Sequence, residues 1–347
     1  MSYHYNDTLN DIPLDYRPRL IIWEITNSKQ NNNLKTLTTH ECFQVMDSIA
    51  ELSKPIIVLS ANHYESSGSD PLDRPDIIDI ILYGNSIGLK MIVETKGDKL
   101  SKDMRNILRT IGTKSIRILI NDKVKESIED GFLQSPEFIE LNERLNDLKD
   151  DGFEIQLGIA LQNFDEREVS FAIDYSIKKY AKGIYLHLLS SPDKTRKKQD
   201  KLKSEIEKEE IIVWIAKQKK LLPNEMYFSP QCIRYGIKHR EDEGHHNNYS
   251  ESSSKSQITH WCLGGKTFAF ISAFGKVQIC SALGTECGNL FESNFNFCEI
   301  WNQSALFDQL RNRNFSCSQT QEFVQQNVTS FKATKVSKGF KELLEHN

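Results

Sequence analysis

Between residues 20 and 189, short β-branched runs alternate with longer stretches whose apolar positions recur every three to four residues. The first run, Leu20-Ile21-Ile22-Trp23-Glu24-Ile25-Thr26, has the composition of a buried strand. Thr39 to Leu52 then places Cys42, Val45, Met46, Ile49 and Leu52 on one helical face. The beat continues with a strand over Pro55 to Ala61, a helix over Asp76 to Ile87 and a strand over Lys90 to Thr95. A helix over Ser101 to Ile111, capped by Ser101, leads to a strand over Ser115 to Asn121. Helix Ser135 to Lys149, strand Glu154 to Leu161, helix Glu166 to Ala181 and strand Gly183 to Leu189 follow, and a helix from about Ser204 to Lys219 closes the series. Six βα units in succession predict an α/β fold, a partial (βα)6 TIM-like barrel with a parallel sheet and outer helices.

The pattern changes after Met226-Tyr227-Phe228. Lys238 to Gln257 is polar and charged and reads as a linker or surface loop; its adjacent His245 and His246 lack a further ligand at metal-site spacing. Beyond it, Thr267 to Ile271 and Gly275 to Ile279 read as a hairpin around Ala273-Phe274-Gly275. Ile300, Trp301, Leu306, Phe307 and Leu310 then mark one short apolar-faced helix. The expected organisation is an N-terminal segment (1–17), the barrel (18–237), a polar linker (238–257) and a small α+β extension (258–347).

Composition narrows the class. With 347 residues, 38% hydrophobic and 27% charged, the chain is neither collagenous nor largely disordered. No apolar run reaches the roughly 18 to 20 residues of a membrane span, and Met1 to Pro18 carries Asp7, Asp11 and Asp15 but no apolar secretory core. A net charge of -4 gives no footprint for nucleic acid, and the basic run Lys194 to Lys203 is followed at once by Glu205, Glu207, Glu209 and Glu210. The expectation is a cytoplasmic protein with neither nucleic acid nor membrane as partner. Its seven cysteines are then thiols or ligands rather than a disulfide framework. Five of them, Cys262, Cys280, Cys287, Cys298 and Cys317, fall in the C-terminal segment, where four thiolates would suit zinc or an iron–sulfur cluster.

The order of short motifs carries a resemblance. Trp23-Glu24-Ile25-Thr26 on the first strand, Gly68-Ser69-Asp70-Pro71 with Leu72-Asp73-Arg74-Pro75-Asp76 after the second, Thr95-Lys96-Gly97 after the third and Asn163 after the fifth occur in sequence. Together they resemble the radical S-adenosylmethionine (SAM) enzymes that mature haem-type cofactors and peptides. Cys262, Gly275 and Cys280, then Gly288-Asn289-Leu290, Ile300-Trp301, Ser304 and Leu310-Arg311, are similar to the cysteine-rich SPASM extension of that family.

The resemblance implies a site and also its loss. In the family a Cys-x3-Cys-x2-Cys loop after the first strand holds a [4Fe–4S] cluster whose open iron takes SAM. Aligned from Thr26, those positions are Lys29, Asn33 and Thr36, none of them cysteine. The closing SPASM pattern begins at Cys317 and departs at Thr320, Gln326 and Ser330. By resemblance, Gly68, Ser69, Asp70, Pro71, Thr95, Gly97 and Asn163 are the cofactor-contacting positions, and Cys262, Cys280 and Cys317 the metal-ligand candidates. A plain turn is the competing reading for Gly68-Ser69-Asp70-Pro71. A buried small hydrophobe is the reading for Cys42.

Three functions follow as expectations. The first is a degenerate, non-catalytic member with no cofactor, binding a peptide, a tetrapyrrole-like ligand or a catalytic radical SAM relative. The second is an active maturase using SAM and one auxiliary Fe–S cluster or zinc. The third is a plain βα-barrel hydrolase or lyase drawing on Glu24, Asn62, His63, Glu94, Asn121 and His187, with Glu24 and Glu94 sharing a proton. On the first reading the strand ends keep a pocket walled by Glu24, Asn62, His63, Asp70, Glu94, Lys96 and Asn163.

Overall fold

The computed structural model describes residues 16–26, 35–61, 69–120, 135–161, 166–188, 214, 217–218, 222–223, 226–230, 233–238 and 257–327. Its first half follows the βα beat. The strands are β1 (Leu20–Thr26), β2 (Ile56–Ala61), β3 (Lys90–Thr95), β4 (Ser115–Ile120), β5 (Glu154–Leu161) and β6 (Gly183–Leu188). Helices α1 (Thr39–Leu52), α2 (Ile77–Ser86), α3 (Lys102–Thr110), α4 (Pro136–Asp150) and α5 (Glu166–Lys178) separate them. Of the expected helix from Ser204 to Lys219, only residues 214, 217 and 218 are described, and they are helical.

Local chemistry sets the helix starts. Thr38 and Glu41 form a reciprocal capping box on α1, Ser101 caps α3 through the Met104 amide, and Ser135 caps α4 ahead of Pro136. Each helix turns its apolar stripe to the sheet, as with the fully buried Cys42, Val45, Met46 and Ile49 of α1.

All six strands pair in parallel, and β7 (Tyr227–Pro230) adds a seventh beside β6. The C-terminal segment joins the same sheet. Its hairpin of β10 (Phe268–Ile271) and β11 (Lys276–Gln278) turns at Gly275, whose φ of +72° suits only glycine without strain. β10 lies parallel to β1 on the side away from β2, and β12 (Glu286–Asn289) completes a ten-stranded open sheet. The pair β8 (Ile233–Lys238) and β9 (Gln257–Cys262) is separate and antiparallel, with Lys238 opposite Gln257, so the two ends of the expected linker lie side by side. The single helix expected over Ile300 to Leu310 is two, α6 (Phe297–Gln303) and α7 (Ala305–Arg311). Ser304 leaves helical geometry at ψ 115° and ends α6 while starting α7. A last helix covers 317–327. Among the described residues no helix is long and apolar enough to cross a membrane.

Strand alternation splits the core. Ile21, Trp23, Ile25, Ile57 and Leu59 pack with the helices, while Ile22, Val58, Ile92, Phe268 and Phe270 form a second cluster on the opposite face. That inner face carries the site.

Candidate functional site

Two residues beyond the inner apolar layer, the same strand face becomes polar. In register across the sheet, Ser60 on β2, Glu94 on β3, Arg117 on β4 and Gln156 on β5 form a chain of side-chain bonds. Ser60 Oγ donates to Glu94 Oε1 at 2.7 Å, and Arg117 Nη1 donates to Glu94 Oε2 at 2.9 Å. Arg117 Nε and Nη2 both donate to Gln156 Oε1 at 3.3 Å. The guanidinium also lies 3.5 Å from the ring centroid of Tyr185 on β6. Arg117 is 0% exposed and Glu94 1%, so the pair is fully inside the protein. The parallel register puts a cation, Arg117, directly opposite Glu94.

Above this layer lie the turns at the strand ends. Asp70 precedes a 3-10 turn, Pro71–Asp73, and its carboxylate is engaged by the turns themselves. Oδ1 accepts from the Leu72 amide, and Oδ2 accepts from Thr95 Oγ1 at 2.7 Å and the Lys96 amide at 2.9 Å. Asp70 thus ties the turn after β2 to the one after β3. Thr95 Oγ1 in turn accepts from the Gly97 amide. Gly97 sits at φ +89°, and Arg144 from α4 packs where a Cβ would be while donating to Lys96 O. Ser69 differs from these neighbours: it is 7% exposed, and its hydroxyl has no hydrogen-bond partner among the described residues.

The loop that would hold the cluster is braced at both stems by one side chain the sequence motifs did not single out. β1 has a bulge between Glu24 and Thr26, and Arg74 Nη1 donates to Ile25 O there at 2.8 Å. Arg74 Nη2 donates to Leu37 O at 2.9 Å, on the far side of the loop. Asp76 holds the guanidinium through both carboxylate oxygens, and Thr39 at the start of α1 donates to Asp76. Arg74 keeps the Asp76 carboxyl below its ordinary range, against the opposing effect of burial. The only signal for this brace was the text Leu72-Asp73-Arg74-Pro75-Asp76, which carries no partner in itself.

The residues between the braces do not fit an iron–sulfur cluster. No cysteine stands between 27 and 36, and Thr36 is exposed. The nearest thiol, Cys42, is 0% exposed beside Arg74, and burial pushes it up to about 12. Lys29, Asn33, Asn62, His63, Gly68, Asn121, Asn163, His245 and His246 lie outside the described residues; His187 is on β6 opposite Ala160.

In the C-terminal segment, Cys262, Cys280 and Cys287 lie near enough to feel one another's charge, and burial pushes all three thiols up, Cys280 to about 12. Cys298 is on α6, where Asn302 donates to its sulfur, and Cys317 opens the 317–327 helix. Of the anticipated trio, Cys262 and Cys280 are neighbours and Cys317 lies on that helix. Among the described residues no three His, Cys, Asp or Glu side chains form a group that could hold a metal ion.

No family model matches the chain. Over 322 residues it is 28% identical to a protein of Methanosarcina barkeri named AdoMet-dependent heme synthase, covering 86% of each chain. A protein of the same name from Nitratidesulfovibrio vulgaris is 24% identical over 309 residues, covering 84% of this chain and 81% of the other. Among solved structures the fold is similar to Streptococcus suis SuiB, with a TM-score of 0.52, 14% identity, and coverage of 85% of this chain and 68% of that one. SuiB bound to its precursor peptide SuiA gives a TM-score of 0.50 at 12% identity, covering 85% and 67%.

Proposed function

We propose that this chain, which belongs to the radical SAM/SPASM-type superfamily, is a non-catalytic binding or regulatory member acting in tetrapyrrole or peptide maturation. The observation that carries the reading is the stretch 27–36, which has no thiolate to hold an open iron although Arg74 still braces both of its stems. Reductive cleavage of SAM needs an electron from that iron, and no arrangement of Lys29, Asn33 and Thr36 supplies it. A fold that keeps its braces and lacks its ligands retains a shaped strand-end face without the reaction.

The ligand class favoured is a tetrapyrrole-like molecule, in keeping with relatives named AdoMet-dependent heme synthase. A peptide is the second class, because SuiB has been solved with a precursor peptide. The unpartnered Ser69 hydroxyl supports a polar group docking at the turn after β2. A buried hydroxyl without a partner costs about 1–3 kcal/mol, which a docked group would relieve.

Two measurements test this. Anaerobic reconstitution with iron and sulfide, followed by reductant and SAM, is expected to give no 5′-deoxyadenosine above a protein-free control; clear turnover would sink the reading. Thermal shifts with SAM, S-adenosylhomocysteine, a porphyrin and unrelated amphiphiles are expected to single out the porphyrin, since a ligand of the native state raises apparent stability. A shift with SAM alone would move the assignment to a SAM-binding regulator.

A further inference from the structure

We infer that the outward faces of α4 and α5 form the interface of a two-fold symmetric dimer of this chain. The acidic stripe of α4 that begins at Ile139 on one copy meets the basic end of α5 around Tyr180 on the other. The inference stands apart from the strand-end site, because it concerns the outer surface of the barrel and not its interior.

The first observation is exposed apolar surface. Five large hydrophobic side chains are exposed among the described residues, and three of them, Ile139, Ile177 and Tyr180, belong to this helix pair. The two helices run side by side. Tyr175 of α5 donates to Asn142 of α4 at 3.2 Å, its ring lies 5.7 Å from that of Phe138, and Lys149 at the foot of α4 lies 4.3 Å over the Tyr180 ring. Tyr180 is the extreme case, 73% exposed and at φ +56° just past the end of α5. Its amide donates to Ile177 O and the Ala181 amide to Ser176 O. That is the left-handed position at which a helix ordinarily ends in glycine or asparagine. A tyrosine there bears the strain of a Cβ and still presents its ring to solvent, which suits an interface anchor.

The second observation is charge, which commits the surface to a copy of itself. On α4 the exposed Ile139, Glu143 and Asp150 recur at helical spacing, so one outward stripe is apolar at its head and acidic below. Glu140 and Asp147 are exposed beside it and pair with Arg144 and Arg105. At the end of α5 the exposed Lys178 and Lys182 flank Tyr180. Burial first, and then the charge of Lys149, hold the Lys179 ammonium below its ordinary value, so lysines crowd around the ring. Asp174, one turn earlier, is the acid on the described part of α5. A two-fold axis sets the α4 stripe of each copy on the α5 end of the other, so acid meets base twice and Ile139 meets Ile177 and Tyr180. An unrelated acidic or basic partner would match one half of this surface, whereas a second copy matches both.

The test is the mass of the full chain in solution, by sedimentation velocity and light scattering over a dilution series. The expected result is a dimer that dissociates on dilution and weakens as salt is raised. Tyr180→Gly removes the ring at a backbone position that glycine accepts. It is expected to keep or raise the melting temperature of the dilute chain while raising the dimer dissociation constant at least about tenfold. Glu143→Lys with Asp150→Lys, and separately Lys178→Glu with Lys182→Glu, are each expected to give monomers. Mixed in equal amounts, the two charge-reversed chains should pair again, because the exchange restores opposite charge at both contacts. A parent chain that stays monomeric throughout the series overturns the proposal. So does a dimer that all three variants leave undiminished, since another face then holds it. Failure of the mixed chains to pair, with each alone folded and monomeric, overturns the match of α4 to α5. If a charge-reversed chain does not fold, the parent's mass and Tyr180→Gly still decide the matter.

Discussion

Two regions of this molecule resemble metal sites, and they differ in what they keep. At the strand ends of the barrel the ligands are absent while the scaffold persists: Arg74 still joins Ile25 O to Leu37 O across the loop, and Asp70 still joins two turns. In the C-terminal segment the thiols persist, with Cys262 and Cys280 near one another and Ile279 packed against Gly264. The contrast separates two requirements of a metal site. Donor identity resides in single side chains and changes residue by residue. Cavity and geometry reside in packing, where a small change in volume draws neighbours inward.

The largest expected effect tests whether the barrel face is a rigid platform. Arg117→Leu leaves Glu94 buried without its cation and is expected to cost about 3–5 kcal/mol in urea unfolding. Replacing Arg117 and Glu94 together by methionine should recover most of that loss, since no lone charge remains. A single-variant loss below about 1 kcal/mol would show that the polar layer does not hold the rim, and the contrast would fail on the barrel side.

The next effect tests the brace. Arg74→Ala removes two bonds to backbone carbonyls and a two-pronged carboxylate pair, for an expected loss of about 2–3 kcal/mol. Arg74→Lys should rescue little of it, because one ammonium cannot reach both stems and Asp76 at once. Acid unfolding adds a check with a fixed sign. The Arg74 guanidinium holds Asp76 below its ordinary value of 3.8, so the stabilisation is complete above that pH and drains as pH falls through the lower folded value. Asp76→Asn should flatten that acid limb and leave the neutral-pH side of the profile unchanged in shape.

A smaller loss, about 1–2 kcal/mol, is expected for Gly97→Ala, where a left-handed φ and the Arg144 side chain both oppose a Cβ. It would loosen the turn that Asp70 and Thr95 share. The smallest is Ser101→Ala, about 1 kcal/mol from the lost N-cap of α3. Ser101 itself belongs to neither region, so a larger effect on ligand shifts than on stability there would blur the comparison.

The chain's own text determined the elements of the barrel. Every strand from β1 to β6 lies within a residue or two of its expected place, because β-branched runs and three-to-four spacing are local properties of consecutive residues. The Ser101 cap and the turn at Gly275 were equally local. The lack of cysteine at 29, 33 and 36 was also legible, since it needs no coordinates to be seen. Only the tertiary structure decided the rest. It placed β10 of the C-terminal segment beside β1, with Leu20 opposite Phe268, so that one sheet runs through both regions. It set Arg117 on Glu94 and Arg74 on two distant carbonyls. Each of these partners is separated by 23 or more residues in the case of the ion pair and by 37 and 49 for the two carbonyls. Local periodicity reports which face of an element is buried, but the partner met on that face is fixed by strand register and chain return, which no short window of sequence contains.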